Sequence, residues 1–225
     1  MVLTSILLLA SVAFNSAQDP SATRPQFAEK LRENNEKLQQ YTYKRRLEIT
    51  IKDHTIHREE LVHYVDGKIE TVPLETPQGT ARQSQAPGLR GVMIRKKIQK
   101  KKEEAKKEVE QLRELLKQYS PGSPSFRKAL EKAVVSRTDA AIKVEAKGVV
   151  QPADSFTLTW SVADQRPQRI EIRSALDKKP VQMTIDYASL PDGPFYPART
   201  VLVVPKKDLT VSIESLDFSR SSEAQ

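Results

Sequence analysis

The chain has 225 residues and no cysteine. A disulfide framework, a thiolate metal site and a cysteine nucleophile are therefore excluded, as is the acylated cysteine of a bacterial lipoprotein, while the length leaves room for a sizeable core. With 37 Lys and Arg against 29 Asp and Glu the net charge is +8, a balance that favours anionic partners such as lipid head groups or acidic polymers.

At the N-terminus, Val2 to Phe14 is an uncharged, mostly apolar run closed by Asn15-Ser16-Ala17. It is too short to cross a bilayer core, which needs about 20 apolar residues as a helix. It matches the apolar stretch of a secretory signal over residues 1–17, although no Lys or Arg precedes it. The expectation is an exported protein, periplasmic or secreted and soluble after signal cleavage. A cysteine-free exported domain suits a bacterial envelope, and export makes nucleic acid an unexpected partner.

Residues 18–24 read as a flexible leader, and 25–218 as a single α+β domain. Pro25 to Gln40 places Phe27, Leu31 and Leu38 near one face of an amphipathic helix, with Pro25 in the first turn. The period then changes to two. Tyr41, Tyr43, Leu47, Ile49 and Ile51 alternate with Thr42, Lys44, Arg46, Glu48, Thr50 and Lys52, interrupted only by Arg45. That is a strand with one wet face. A turn at Asp53 and His54 returns the chain through Glu60 to Val65, and Asp66-Gly67 is a tight-turn signal leading into Lys68 to Leu74. Glu75 to Arg90, with Pro77, Gly79, Pro87 and Gly88, reads as a loop or linker.

Residues 92–136 are expected as an inserted, highly charged helical hairpin. Its first helix, Val92 to Tyr119, carries Arg95, Lys96, Lys97, Lys100, Lys101 and Lys102, six cations in eight positions. The usual meaning of such a face is a solvated helix held by pairs such as Glu103–Lys107. The functional alternative is an electrostatic arm for an anionic surface, at about 1 kcal/mol per cation near a charged membrane. Val109, Leu112, Leu116 and Tyr119 form an apolar seam that could dock a partner helix, as in a coiled coil. The second helix, Ser125 to about Ser136, shows Phe126, Ala129, Leu130, Ala133 and Val134 at core-facing spacing.

From Ala140 to Phe218 the period is again two. Phe156, Leu158, Trp160 and Val162, then Ile170 and Ile172, then Val181, Met183, Ile185 and Tyr187, define apolar faces. Tyr196 to Val204 and Leu209 to Phe218 complete the series. Turn clusters at Asp164 to Pro167, Asp177 to Pro180, Pro191 to Pro194 and Pro205 to Asp208 leave no room for crossover helices, so the strands form an antiparallel meander. Residues 219–225 read as a disordered tail.

Chemistry is sparsely marked. His54, His57 and His63 lie close in sequence, but no cysteine or acidic cluster completes a ligand set, and no metal or cofactor is expected. Asp186, Asp192 and Asp217 sit where Asp ordinarily serves turn geometry. No nucleophile elbow, zinc-protease motif or phosphate loop is present, so a non-enzymatic protein is expected, with a hydrolase of dispersed site as the minority alternative. The candidate binding surface is the apolar sheet face of Phe156, Leu158, Trp160, Ile170, Ile172, Met183, Ile185 and Tyr187, which serves either as filled core or as the lining of a lipid cavity.

Lys179 to Tyr187, Leu190-Pro191-Asp192-Gly193, Tyr196-Pro197-Ala198-Arg199-Thr200 and Leu209 to Ile213 together resemble the closing strands of LolA-like periplasmic proteins. The helix before the first strand resembles that superfamily as well. The chain is also similar in layout to other exported bacterial proteins. The resemblance implies a curved antiparallel half-barrel capped by helices, whose concave side holds the acyl chains of a lipoprotein or another lipid. The expected partners are a lipid, a lipoprotein or an anionic membrane surface. A protein-interaction scaffold working through the charged hairpin, with another envelope protein as partner, is the alternative.

Overall fold

The computed structural model describes residues 33–74, 110–119 except 113, and 123–221 except 192. The expected signal segment, the leader, the loop at 75–90 and the cation run Arg95 to Lys102 lie outside the described residues. Residues 33–38 are helical (α1) and lead into the strands β1 (Tyr41–Ile51), β2 (His54–Val65) and β3 (Lys68–Leu74). Residues 110–112 and 114–117 are helical (α2), followed by α3 (Pro124–Glu131). Seven more strands follow among the described residues: β4 (Val134–Arg137), β5 (Ala141–Lys147), β6 (Ser155–Ser161), β7 (Arg166–Leu176), β8 (Lys179–Ser189), β9 (Phe195–Val204) and β10 (Leu209–Arg220).

All ten strands form one open, curved, antiparallel sheet in the order β3-β2-β1-β10-β9-β8-β7-β6-β5-β4. Within each block every strand pairs with its sequence neighbour. The exception is the β1–β10 pair, which joins the two blocks by setting Ile51 opposite Leu209 and Tyr41 opposite Arg220. At the far end of that pair Asp217 and Phe218 together oppose Tyr43, a β-bulge with Asp217 at φ +52°. The bulge lets the Phe218 ring stack on Tyr43 with centroids 4.7 Å apart, and the Tyr196 ring lies tilted against Phe218 at 4.2 Å.

Hairpin chemistry accounts for the short connections. Asp66 and Gly67 both have positive φ, as a two-residue turn matching the strand twist requires. The β7–β8 turn does the same with Asp177 and Lys178, without a glycine. Asp tolerates the left-handed region, so this hairpin was marked in sequence only by its polarity.

Four boundaries differ from expectation. The second hairpin helix stops at Glu131 instead of continuing to about Ser136. Lys132 caps it, and the β-branched pair Val134-Val135 joins the sheet as β4, opposite Glu145 and Val144. Val134 is 66% exposed on that edge and not part of the helix stripe. His54 opens β2 instead of sitting in the turn, which is Lys52-Asp53 with Lys52 at φ +53°. Arg166 and Pro167 belong to β7, and β10 runs past the expected boundary at 218.

Strand alternation separates two faces. The outer face is a solvated ladder of ion pairs. Arg46 meets Glu59 at 2.9 Å, Arg169 meets Asp186 at 2.6 Å and Lys44 meets Asp217 at 3.1 Å. Asp186 and Asp217 are thus surface ion-pair partners, and Asp192 lies outside the described residues. On the inner face, register aligns apolar side chains into rows across the sheet. One row runs Leu47, Ile213, Thr200, Ile185, Ile170, Leu158, Val144. The next runs Ile49, Val211, Leu202, Met183, Ile172, Phe156, Ala146.

Helices cover this inner face. Leu112, Leu115, Leu116 and Tyr119 of the α2 segment and Phe126, Ala129 and Leu130 of α3 share one core cluster with the rows. Phe126 meets Phe156 edge to face at 4.9 Å, and both are fully buried. Polar bonds fix the cover at two points. Buried Asp154 accepts from the Tyr119 hydroxyl at 2.8 Å, from Ser174 Oγ at 2.9 Å and from the backbone N–H groups of Val150 and Gln151 at 3.1 and 2.7 Å. At the other end, Asn34 of α1 exchanges two bonds with the Phe195 backbone, at 2.7 and 3.0 Å.

Candidate functional site

Where the cover thins toward β1 and β10, the inner face keeps a cleft. It is lined by Met183, Ile185 and Tyr187 of β8, Pro197, Thr200 and Leu202 of β9, and Val211, Ile213 and Ser215 of β10, with Leu116 above and Arg45 at one end. Two bulges or irregularities frame it. The one between Asp186 and Tyr187 in the β8–β9 pair sets Tyr187 opposite Pro197, and the one at Asp217 bends β10 beyond Ser215. The cavity is about 40 Å³. At about 10–15 Å³ for each water this admits about three or four waters and no aliphatic chain unless Leu116 moves.

Arg45 is the unusual member. It occupies an inward position of β1, between Glu60 of β2 and Ser215 of β10. Its side chain is 7% exposed and that of Glu60 16%. Arg45 Nε donates to Glu60 Oε1 at 2.8 Å and Nη2 lies 2.7 Å from the same oxygen. Nη1 is buried and has no hydrogen-bond partner among the described residues. The pair sits in apolar company, and its neighbours register that environment. Burial pushes the Tyr43 hydroxyl pKa above the ordinary tyrosine value, against the opposing pull of Arg45. Tyr64 and Tyr187 are raised in the same direction, again by burial first.

The eight candidate binding residues separate into three groups. Phe156, Leu158, Ile170 and Ile172 are at most 3% exposed and belong to the core beneath the helices. Trp160 forms a second small cluster with Phe195, their rings 6.3 Å apart, joined by Tyr187. Met183, Ile185 and Tyr187 reach the cleft. The hairpin seam is turned to the sheet: Leu112, Leu116 and Tyr119 are 4%, 4% and 0% exposed, because their apolar stripe finds its partner within the chain. Val109 lies outside the described residues.

The histidines do not converge. His57 meets Glu48 at 3.3 Å and His63 meets Glu70 at 3.6 Å across strand pairs, while alternation puts His54 on the opposite face of β2. Among the described residues no three metal-ligating side chains come together. None of the described helices is long and apolar enough to cross a membrane.

Sequence reasoning missed Arg45, Ser215, Pro197, Thr200, Leu202, Val211 and Ile213 as cleft residues. For Arg45 a signal existed, since it was the one break in the alternation of β1. A charge at an inward position either has a buried partner or marks a wet gap, but only the register of β2 shows that the partner is Glu60.

Comparison with solved structures gives distant neighbours. One is a domain described as an outer membrane lipoprotein-sorting protein from Vibrio parahaemolyticus, at 9% identity and a TM-score of 0.42, covering 88% of this chain and 93% of that one. A LolA superfamily protein from Nitrosomonas europaea matches at 10% identity and a TM-score of 0.34, covering 99% and 94%. A DUF1329 family protein from Desulfovibrio piger matches at 7% identity and a TM-score of 0.36, covering 86% and 92%. The likeness to LolA-like proteins is thus distant. No protein-family profile matches the chain, and no curated protein matches it at a significant level.

Proposed function

We propose that this is an exported, non-enzymatic binding protein that takes an acyl chain of a lipid or lipidated protein between α2 and the inner sheet face. The observation that carries the reading is the cleft itself. Met183, Ile185, Tyr187, Leu202, Val211 and Ile213 present a continuous apolar floor, and its roof is one helix side, with Leu116 over the gap. A pocket with an apolar wall and few polar groups suits an aliphatic ligand. Entry of a chain requires α2 to lift, since the cavity of about 40 Å³ is far smaller than an acyl tail. The cations Arg95, Lys96, Lys97, Lys100, Lys101 and Lys102 shortly precede α2 in sequence. Contact of that run with an anionic surface would then act on the segment that roofs the cleft, coupling surface binding to opening.

The test is native mass spectrometry of the protein purified from the periplasm of an expressing bacterium, with lipid extraction of the same sample. A stoichiometric acyl lipid supports the reading. A clean apo mass, together with no uptake of monopalmitoylglycerol added to the purified protein, overturns it. The scaffold alternative has less support, because the seam it would use is buried against the sheet.

A further inference from the structure

Arg45 has an unsatisfied buried donor beside the apolar cleft. Donors of this kind are rare in folded proteins, because a buried N–H without an acceptor forgoes its bonds to water and gains nothing in return. The guanidinium is planar, and its Nε–Nη2 edge is committed to Glu60 Oε1. Nη1 therefore lies on the side away from that carboxylate, with neither of its N–H groups bonded among the described residues. Arg45 also lines the cleft, in the company of Ser215, Pro197 and Thr200.

We propose that Arg45 Nη1 is the polar anchor of the ligand site, donating to the carbonyl oxygen at the root of an acyl chain that lies along Ile213, Ile185 and Met183. This rests on the reading of the cleft as an acyl site and adds to it the atom that sets the ligand's head. The electrostatics select the class of acceptor. Glu60 already neutralises the guanidinium, so a second buried carboxylate would bring an uncompensated negative charge into an apolar pocket. A neutral ester or amide carbonyl satisfies Nη1 without adding charge. The ligand class is accordingly an ester- or amide-linked acyl chain, not a free fatty acid.

The experiment titrates the full chain with monopalmitoylglycerol, with the hexadecyl ether of glycerol and with palmitate, each below its micellar concentration, by displacement of a hydrophobic fluorophore. The ester and ether differ in the carbonyl alone. The wild-type protein is expected to bind the ester at least tenfold more tightly than the ether. Arg45→Met is expected to bind both at the ether's level. Because that variant strands Glu60, the double variant Arg45→Met/Glu60→Gln is measured beside it, with circular dichroism confirming the fold. Equal binding of ester and ether by the wild type overturns the anchor while leaving the cleft reading intact. An ester preference retained in the folded double variant also overturns it. Palmitate binding more tightly than the ester overturns the neutral-carbonyl class. Binding of none of the three overturns the cleft reading itself.

Discussion

The two halves of the inner sheet face obey the same alternation and come to different ends. Toward β5, β6 and β7 the rows are apolar throughout, from Ile170 and Ile172 to Val144 and Ala146, and α2 and α3 seal them. Toward β1, β10 and β9 the same rows take in Thr200, with Ser215 and Arg45 beside them, and the roof thins to Leu116. Uniform apolar side chains and full cover make a core. Inward polar groups under partial cover leave a cleft. The contrast teaches that strand parity says which face is inside, whereas the cover says which part of that face stays open.

The sharpest way to break this comparison is to damage the sealed half. Phe156→Ala removes a fully buried ring from contact with Phe126 and is expected to cost about 3–5 kcal/mol in urea unfolding. A loss below about 1 kcal/mol would show that the half is not close-packed.

Arg45→Met is expected to cost about 3 kcal/mol, because it leaves Glu60 partly buried without its cation. The double variant Arg45→Met/Glu60→Gln should recover most of that loss. If the double variant is as unstable as the single one, the pair is not the unit described above.

Leu116→Ala cuts away the roof at its thin point and should cost about 2–3 kcal/mol, the lower part of the range for buried leucines, since the cleft already borders it. Uptake of a hydrophobic fluorophore should rise in the same variant. Unchanged uptake would mean that the route into the cleft lies elsewhere.

Tyr119→Phe deletes the hydroxyl that donates to Asp154 and should cost about 1–1.5 kcal/mol. Its effect on pH dependence is more diagnostic. Burial raises the pKa of Tyr119, as it does those of Tyr43, Tyr64 and Tyr187. For a group whose folded pKa lies above its unfolded one, the stabilisation is complete below the unfolded value, about 10 for tyrosine, and is lost as pH rises through the folded value. Stability should therefore fall above about pH 10, and Tyr119→Phe should make that fall shallower. Circular dichroism against pH, followed together with tyrosinate absorbance, checks both; an identical profile in the variant would remove Tyr119 from the explanation. The smallest effect is expected on the uncovered edge, where Val134→Thr should stay within about 0.5 kcal/mol.

Much of this architecture was legible in the chain. The period-two runs placed most strands, and Asp66-Gly67 announced its hairpin because its conformation demands two residues that tolerate positive φ. The end of α3 was not legible, since Ala133 and Val134 continue a helical stripe while Val134 and Val135 equally suit a strand, and a pairing with β5 settles the choice. Of the cleft lining, Met183, Ile185 and Tyr187 were among the candidate residues, while the β9 and β10 contributions were not. Alternation identifies apolar faces one strand at a time and carries no information on which strands share the uncovered region.

The sequence by itself determined the α+β class, the antiparallel meander, the wet outer face and the apolar inner one, because side-chain period and turn chemistry are local properties. The tertiary structure alone decided that β1 closes against β10, that α2 and α3 turn their seam to the sheet, and that Arg45 finds Glu60 but leaves Nη1 without an acceptor. These depend on partners distant in sequence, selected by register and by the competition of several apolar stripes for one face.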